Sequence, residues 1–171
     1  MVELGPGTGK LAARLLAERL QPEARYLGLD VSPGMVALAS ERLAPWGGRA
    51  EVRRVDGSLP LPVADGSCDR FLALWVLDLL DDELSAGVLA EAARTLEPGG
   101  LLCVAGLARG PGGVARLVSD AWEALCRFRP SLVGGCRPRE LSLPASFELR
   151  HRRLVTSWGI TSEVTVAARL P

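Results

Sequence analysis

The sequence predicts an α/β fold: a doubly wound, mostly parallel sheet of seven strands, helices on both faces, and one antiparallel strand from a C-terminal hairpin. Three observations carry this. Apolar segments of strand length alternate with helical patterns through the first two thirds of the chain. The fourth strand, Arg70 to Val76, is almost wholly apolar, as a parallel strand covered on both faces must be. The last stretch, FELRHRRLVTSWGITSEVTVAARL, reads as two strands around Trp158-Gly159.

The elements follow in order. Val2 to Leu4 is the end of a buried strand, and Lys10 to Leu20 a helix with Leu11, Leu15, Leu16 and Leu20 on one face, closed by Gln21-Pro22. Arg25 to Asp30 is the second strand. Ser32-Pro33 starts a helix, with a capping hydroxyl followed by a proline where no N–H is needed; it runs to Leu43 and stops at Pro45-Trp46-Gly47-Gly48. Glu51 to Val55 is the third strand, and the loop DGSLPLPVADGS leads to the fourth. Asp81 to Leu96 is a helix with acidic residues in its first turn, where the helix dipole favours them. Pro98-Gly99-Gly100 turns the chain into a fifth strand, Leu101 to Leu107. Gly112 to Phe128 is helical, and residues 129–146 are irregular.

The 171 residues form one domain, 48% hydrophobic, which supports a core without metals or disulfides. Basic and acidic residues balance at 20 each, which argues against nucleic acid and against an anionic membrane surface as partners. Arg150, Arg152 and Arg153 read as a solvated strand face. Cys68, Cys103, Cys126 and Cys136 make no C-x-x-C pair, so no metal site is expected, and free thiols point to a reducing, cytoplasmic compartment. No apolar run reaches membrane-spanning length.

The chain opens MVELGPGTGK. A phosphate-binding P-loop needs glycine where Leu4 stands and a hydroxyl where Leu11 stands. The dinucleotide turn needs a third glycine where Lys10 stands. What is present is E-x-G-x-G-x-G: Glu3, Gly5, Gly7, Gly9. Strand two then ends in Asp30 within GLDVSPGM, strand three is followed by Asp56-Gly57-Ser58, strand four lies in CDRFLALWVLDLL, and LEPGGLL precedes strand five. Together these resemble the motifs of class I S-adenosylmethionine-dependent methyltransferases, similar to the domain of ubiquinone and menaquinone biosynthesis enzymes, whose fold is Rossmann-like.

The resemblance implies S-adenosylmethionine as cofactor. Gly5, Gly7 and Gly9 would let backbone approach the ligand's amino-acid moiety. Glu3 would engage its ammonium, directly or through water. Asp30 would bind both ribose hydroxyls, Val31 and Met35 would pack on the adenine, and Asp56 with Gly57 would receive the adenine amino group. Leu74 and Trp75 would back the cofactor.

For the acceptor, negative evidence narrows the field. The Asn/Asp-Pro-Pro-Tyr/Phe of amine and glutamine methylating relatives is replaced by Leu74-Trp75-Val76-Leu77, the chain has no asparagine, and the Pro-Cys of cytosine-carbon enzymes does not occur. A small-molecule acceptor remains. The catalytic residue is open: Asp78, after strand four, and His151, the lone histidine, are weak choices against structural readings of both. Arg137 is a further choice for an anionic group. Trp122 and Trp158 read as core or loop packing. Family members usually carry helices before the first strand, which this sequence lacks, so a longer natural form is expected. A cofactor-binding module without turnover is the alternative to an enzyme.

Overall fold

The computed structural model describes residues 1–128, 136, 138 and 141–171. The elements are β1 (Val2–Leu4), α1 (Lys10–Glu18), β2 (Tyr26–Asp30), α2 (Pro33–Leu43), β3 (Ala50–Arg54), β4 (Cys68–Leu74), α3 (Asp82–Thr95), β5 (Leu96–Ala108), α4 (Gly113–Phe128), β6 (Phe147–Ser157) and β7 (Ile160–Arg169), with 3-10 turns at Ala44–Trp46 and Leu77–Leu79. They form one seven-stranded sheet in the order β3-β2-β1-β4-β5-β7-β6. β1 to β5 run parallel, and β7 is antiparallel to both β5 and β6, so one strand runs against the rest.

Register assigns the faces. Val2 pairs with Leu27 and Phe71, Phe71 with Leu102, and Leu4 with Leu29 and Ala73, so these residues share one face. There they pack with Val88, Leu89 and Ala92 of α3 in the main core, where Phe71 and Leu29 are fully buried. The opposite face carries Tyr26, which packs with Ala12 and Leu16 of α1 and Leu43 of α2. Chain order departs from β1 toward β2 on one side and β4 on the other. Ligands of such sheets bind in the crevice above that reversal, at the carboxyl ends of the strands.

The capping hydroxyl is in place: Ser32 Oγ accepts from the Met35 N–H at 3.3 Å. Elsewhere the boundaries shift for local reasons. α1 ends at Glu18 because the Arg19 and Leu20 N–H groups both bond to the Leu15 carbonyl, closing the helix two residues early. β4 ends at Leu74 because Trp75, after one last backbone bond to β5, turns to φ 54° and takes the chain out of the strand. The Pro98-Gly99-Gly100 turn lies inside β5 rather than before it. Cys68 pairs with Leu96 and Arg70 with Leu101, so residues 97–100 bulge out opposite Asp69.

The packing reading of Trp158 is overturned. Trp158 and Gly159 form a two-residue hairpin loop at φ 54° and 79°, the geometry that matches strand twist, and the indole projects 97% exposed from the tip. Trp122 is half-buried and donates its indole N–H to the Cys136 carbonyl at 2.9 Å. The arginines of β6 are exposed, as expected; Arg150 pairs with Glu148 at 2.9 Å and Arg152 with Glu163 at 3.1 Å. All four cysteines are free. Among the described residues, no helix is long and apolar enough to cross a membrane.

Candidate functional site

The glycine turn rises from β1 beside the reversal. The Gly5 N–H donates to the Leu29 carbonyl at 2.8 Å, which ties the turn to β2, and the Gly9 N–H donates to the Pro6 carbonyl at 2.9 Å. Arg42 of α2 donates to the Thr8 carbonyl, clamping the turn from the other side. Gly5 and Gly7 need to be glycine for different reasons. At φ 65°, Gly5 would place a Cβ 2.5 Å from Cγ2 of Val76. At φ 54°, Gly7 would place a Cβ with nothing within 4 Å, so it faces open space where a ligand can reach the backbone. Gly9 then caps α1 without a side-chain hydrogen bond, which leaves the first-turn amides of α1 uncapped by any side chain, a setting that favours a carboxylate.

Glu3 lies in β1, just before this turn. It is 3% exposed and accepts from the Tyr26 hydroxyl at 2.7 Å. Burial pushes the Glu3 carboxyl above its ordinary value, only partly offset by the Tyr26 hydrogen bond. Burial and the neighbouring Glu3 charge raise the Tyr26 phenol, which keeps it a donor. A carboxyl raised in the fold favours its protonated form there, so its contribution is complete below the unfolded value near 4.5 and is lost as pH climbs through the folded value. Glu3→Gln keeps an acceptor for Tyr26 without the charge. It is expected to stabilise the protein at neutral pH by about 1 kcal/mol, at the low end of what burying an incompletely compensated group costs. Melting curves from acid to neutral pH check this: the loss of stability above the unfolded value should flatten in the variant.

Asp30 closes β2 and is 8% exposed; its Oδ1 accepts from the Ser32 N–H at 2.9 Å. Val31, Met35 and Trp75 are exposed apolar side chains at the carboxyl ends of the strands. Asp56 follows β3. It is exposed, and its Oδ1 accepts from both the backbone N–H (2.9 Å) and the hydroxyl (2.6 Å) of Ser58, which hold its carboxyl below the ordinary range. The loops after β2 and β3 meet: a Cβ on Gly57 would lie 3.4 Å from Cγ1 of Val31. Leu74 is half-buried at the end of β4, and the Trp75 N–H donates to the Ala105 carbonyl at 2.6 Å.

Asp78 is neither a surface carboxylate nor a helix cap. It is 4% exposed in the Leu77–Leu79 turn, and its Oδ2 accepts from the Leu107 N–H at 2.8 Å. It fits there because Gly106 has no side chain; a Cβ would lie 2.5 Å from Oδ1. Asp78 lines a cavity of about 270 Å³ with Leu77, Ser85, Leu89, Val104 and Thr165. The cap role belongs to Asp81, which accepts from the Leu84 N–H at 2.8 Å. His151 does not come near. It is exposed on the edge strand β6, four strand spacings from β1, roughly 19 Å across the sheet. Arg137 lies outside the described residues.

The residues missed by sequence reasoning are the supporting ones. Tyr26 under Glu3, Val76 against Gly5, Arg42 on the turn and Gly106 beside Asp78 act across 23 or more positions of sequence, and no motif announces them.

A family model described as a methyltransferase domain matches residues 1–100. The malonyl-[acyl-carrier protein] O-methyltransferase of Hahella chejuensis is 39% identical over 104 residues, which cover 60% of this chain and 35% of that protein. The release factor glutamine methyltransferase of Cereibacter sphaeroides is 35% identical over 170 residues, covering 85% of this chain and 60% of that one. The chain thus spans about a third of the length of the first relative. In structure it is similar to the N-methyltransferase NodS of Bradyrhizobium japonicum WM9, in complex with S-adenosyl-L-homocysteine, at a TM-score of 0.66 and 17% identity, covering 98% of this chain and 76% of that one. At that identity the likeness is one of fold.

Proposed function

This chain belongs to the methyltransferase-domain family, and on that premise we propose that it binds S-adenosylmethionine and transfers its methyl group to a small-molecule acceptor. One observation carries the cofactor reading: the glycine turn, Asp30 and the Asp56 loop converge at the carboxyl ends of β1, β2 and β3, beside the sheet's reversal. The residues fit the cofactor. Gly7 leaves open the space that a side chain would fill. Asp30 holds a buried carboxylate at the height of the turn, suited to a pair of ribose hydroxyls. Val31, Met35 and Trp75 are exposed apolar groups with an aromatic face to cover.

When bound, S-adenosylmethionine supplies a methyl group on a sulfonium, poised for in-line displacement. The chain's part is then chiefly positioning. The Leu77–Leu79 turn stands between the two halves of the site. Val76 on one side wedges against the glycine turn, and Asp78 on the other lines the cavity. Asp78, locked by Leu107 and the absence of a side chain at Gly106, is placed to orient an acceptor that enters the cavity.

The cavity supports a small acceptor, since about 270 Å³ lies near the lower limit for small-ligand sites. The zero net charge supports it against nucleic acid. One relative is named for a release factor glutamine; this chain has no asparagine and no Pro-Pro-Tyr after β4, which favours a different acceptor. Four free thiols suit a reducing compartment, and a cytoplasmic location belongs to the same reading.

Transfer of labelled methyl from S-adenosylmethionine to a panel of small alcohols, phenols and amines tests the acceptor class. Turnover is expected on at least one. Asp78→Asn should lower kcat by about 100-fold or more, the range of one proton-handling group, with cofactor affinity unchanged. Labelling of a protein or nucleic acid and of no small molecule would overturn the acceptor class.

A further inference from the structure

Helix α4 carries two apolar stripes. One faces inward: Val118, Ser119, Trp122 and Cys126 are buried or half-buried against the sheet and its flanking chain. The other faces out. Val114, Leu117 and Phe128 are 72%, 69% and 75% exposed, and Ala121 and Ala124 between them are exposed as well. These five residues recur at steps of three and four, the seam of a two-helix coiled coil. A helix needs one apolar stripe to pack on its own domain. The second is left over.

The surface does not stop at the helix. The β6–β7 hairpin tip packs on α4, close enough that a Cβ on Gly159 would lie 2.9 Å from Cγ2 of Val118. That contact is with the inward stripe, and it sets Trp158, 97% exposed, and Ile160, 42% exposed, on the same helix's flank. An exposed apolar stripe on a helix, with a solvent-facing tryptophan on the hairpin that packs on that helix, is uncommon on a monomer and usual near an interface.

We propose that this face joins two copies of the chain, α4 packing antiparallel on α4 of the partner. The sequence of the stripe is complementary to itself in that direction. Phe128 meets the partner's Leu117, Ala121 meets the partner's Ala124, and Leu117 meets the partner's Phe128. Small residues at the centre let the helices approach closely, and large ones fill the ends. The flanking charges agree: the same register sets Asp120 beside the partner's Arg127, and the two-fold axis repeats that pair. A parallel pairing would set Asp120 beside the partner's Leu125 and lose both attractions. Asp120 already gathers Arg109 at 2.8 Å and Arg116 at 3.4 Å, which leaves it anchored at the patch margin.

Sedimentation of the chain across concentrations up to about 100 μM, the affinity range of a modest interface, tests this. The wild type is expected to reach twice the 18.1 kDa of one chain and to dissociate on dilution. Leu117→Glu, at an exposed position, should sediment as one chain throughout with an unchanged circular dichroism spectrum. Arg127→Glu should weaken association at least tenfold, since the two-fold axis turns both charge pairs repulsive. A wild type that stays at one chain's mass at 100 μM overturns the proposal, as does a dimer that survives Leu117→Glu. A dimer indifferent to Arg127→Glu overturns the antiparallel register.

Discussion

Gly5→Ala is expected to destabilise the protein by about 3 kcal/mol and to remove cofactor binding with it. Two terms add. A left-handed backbone conformation at φ 65° costs an ordinary residue about 1–2 kcal/mol. The new Cβ would also stand 2.5 Å from Cγ2 of Val76, well inside normal contact, and relieving such overlap typically costs about 1–3 kcal/mol. Small domains hold only about 5–15 kcal/mol in all, so the loss is large. The overlap term has a specific partner, and a double-mutant cycle isolates it. Val76→Ala alone should destabilise mildly. Combined with Gly5→Ala it should leave a double variant more stable than the sum of the two losses by at least about 1 kcal/mol. Denaturant melts of the four proteins measure this. Strict additivity would mean that the wedge between Val76 and the turn is not what makes Gly5 necessary.

Asp30→Ala is expected to weaken binding of S-adenosylhomocysteine by about 100-fold or more with the fold intact. In the proposed site its carboxylate receives two hydroxyl protons, and hydrogen bonds to a charged group contribute about 1.5–3 kcal/mol each. The structural role of the side chain is smaller. One oxygen accepts the Ser32 N–H, and the Asp30 carbonyl, which holds the Val55 N–H at 3.0 Å, survives the substitution. A stability loss of about 1 kcal/mol is therefore expected, as for a lost local cap. Calorimetric titration beside a thermal melt separates the two effects. Binding that persists in a stable Asp30→Ala protein would remove Asp30 from the cofactor site.

The parts of this molecule that were legible in sequence are those set by local chemistry. Ser32-Pro33 announces a helix start and Trp158-Gly159 a hairpin, and each forms where its residues indicate; the apolar run Arg70 to Val76 announces a covered strand, which forms as Cys68–Leu74. Gly5, Gly7, Gly9, Asp30 and Asp56 stand at strand ends that alternation locates, but it is the resemblance to the methyltransferase motifs, not alternation, that singles them out as the proposed cofactor site. What was hidden depends on contacts distant in sequence. Nothing in the sequence around Glu3 shows that Tyr26, 23 positions away, donates to its carboxylate. The sequence leaves Asp78 open between a group that handles the acceptor and a structural carboxylate, and only Leu107 and Gly106, brought alongside by the β4–β5 pairing, show that it is buried. LEPGG reads as a turn, and the ladder absorbs it as a bulge since Leu96 already pairs with Cys68. Trp158 reads as packing because tryptophan usually is; hairpin geometry, not hydrophobicity, decides where it points.

The cofactor is what the glycine turn, Asp30 and the Asp56 loop are read to hold, and calorimetric titration of the folded chain with S-adenosylhomocysteine, with NAD as control, tests that reading most directly. Saturable micromolar binding of S-adenosylhomocysteine and none of NAD is the predicted result. Binding of NAD in its place, or of neither ligand by a protein with a cooperative melt, would contradict it.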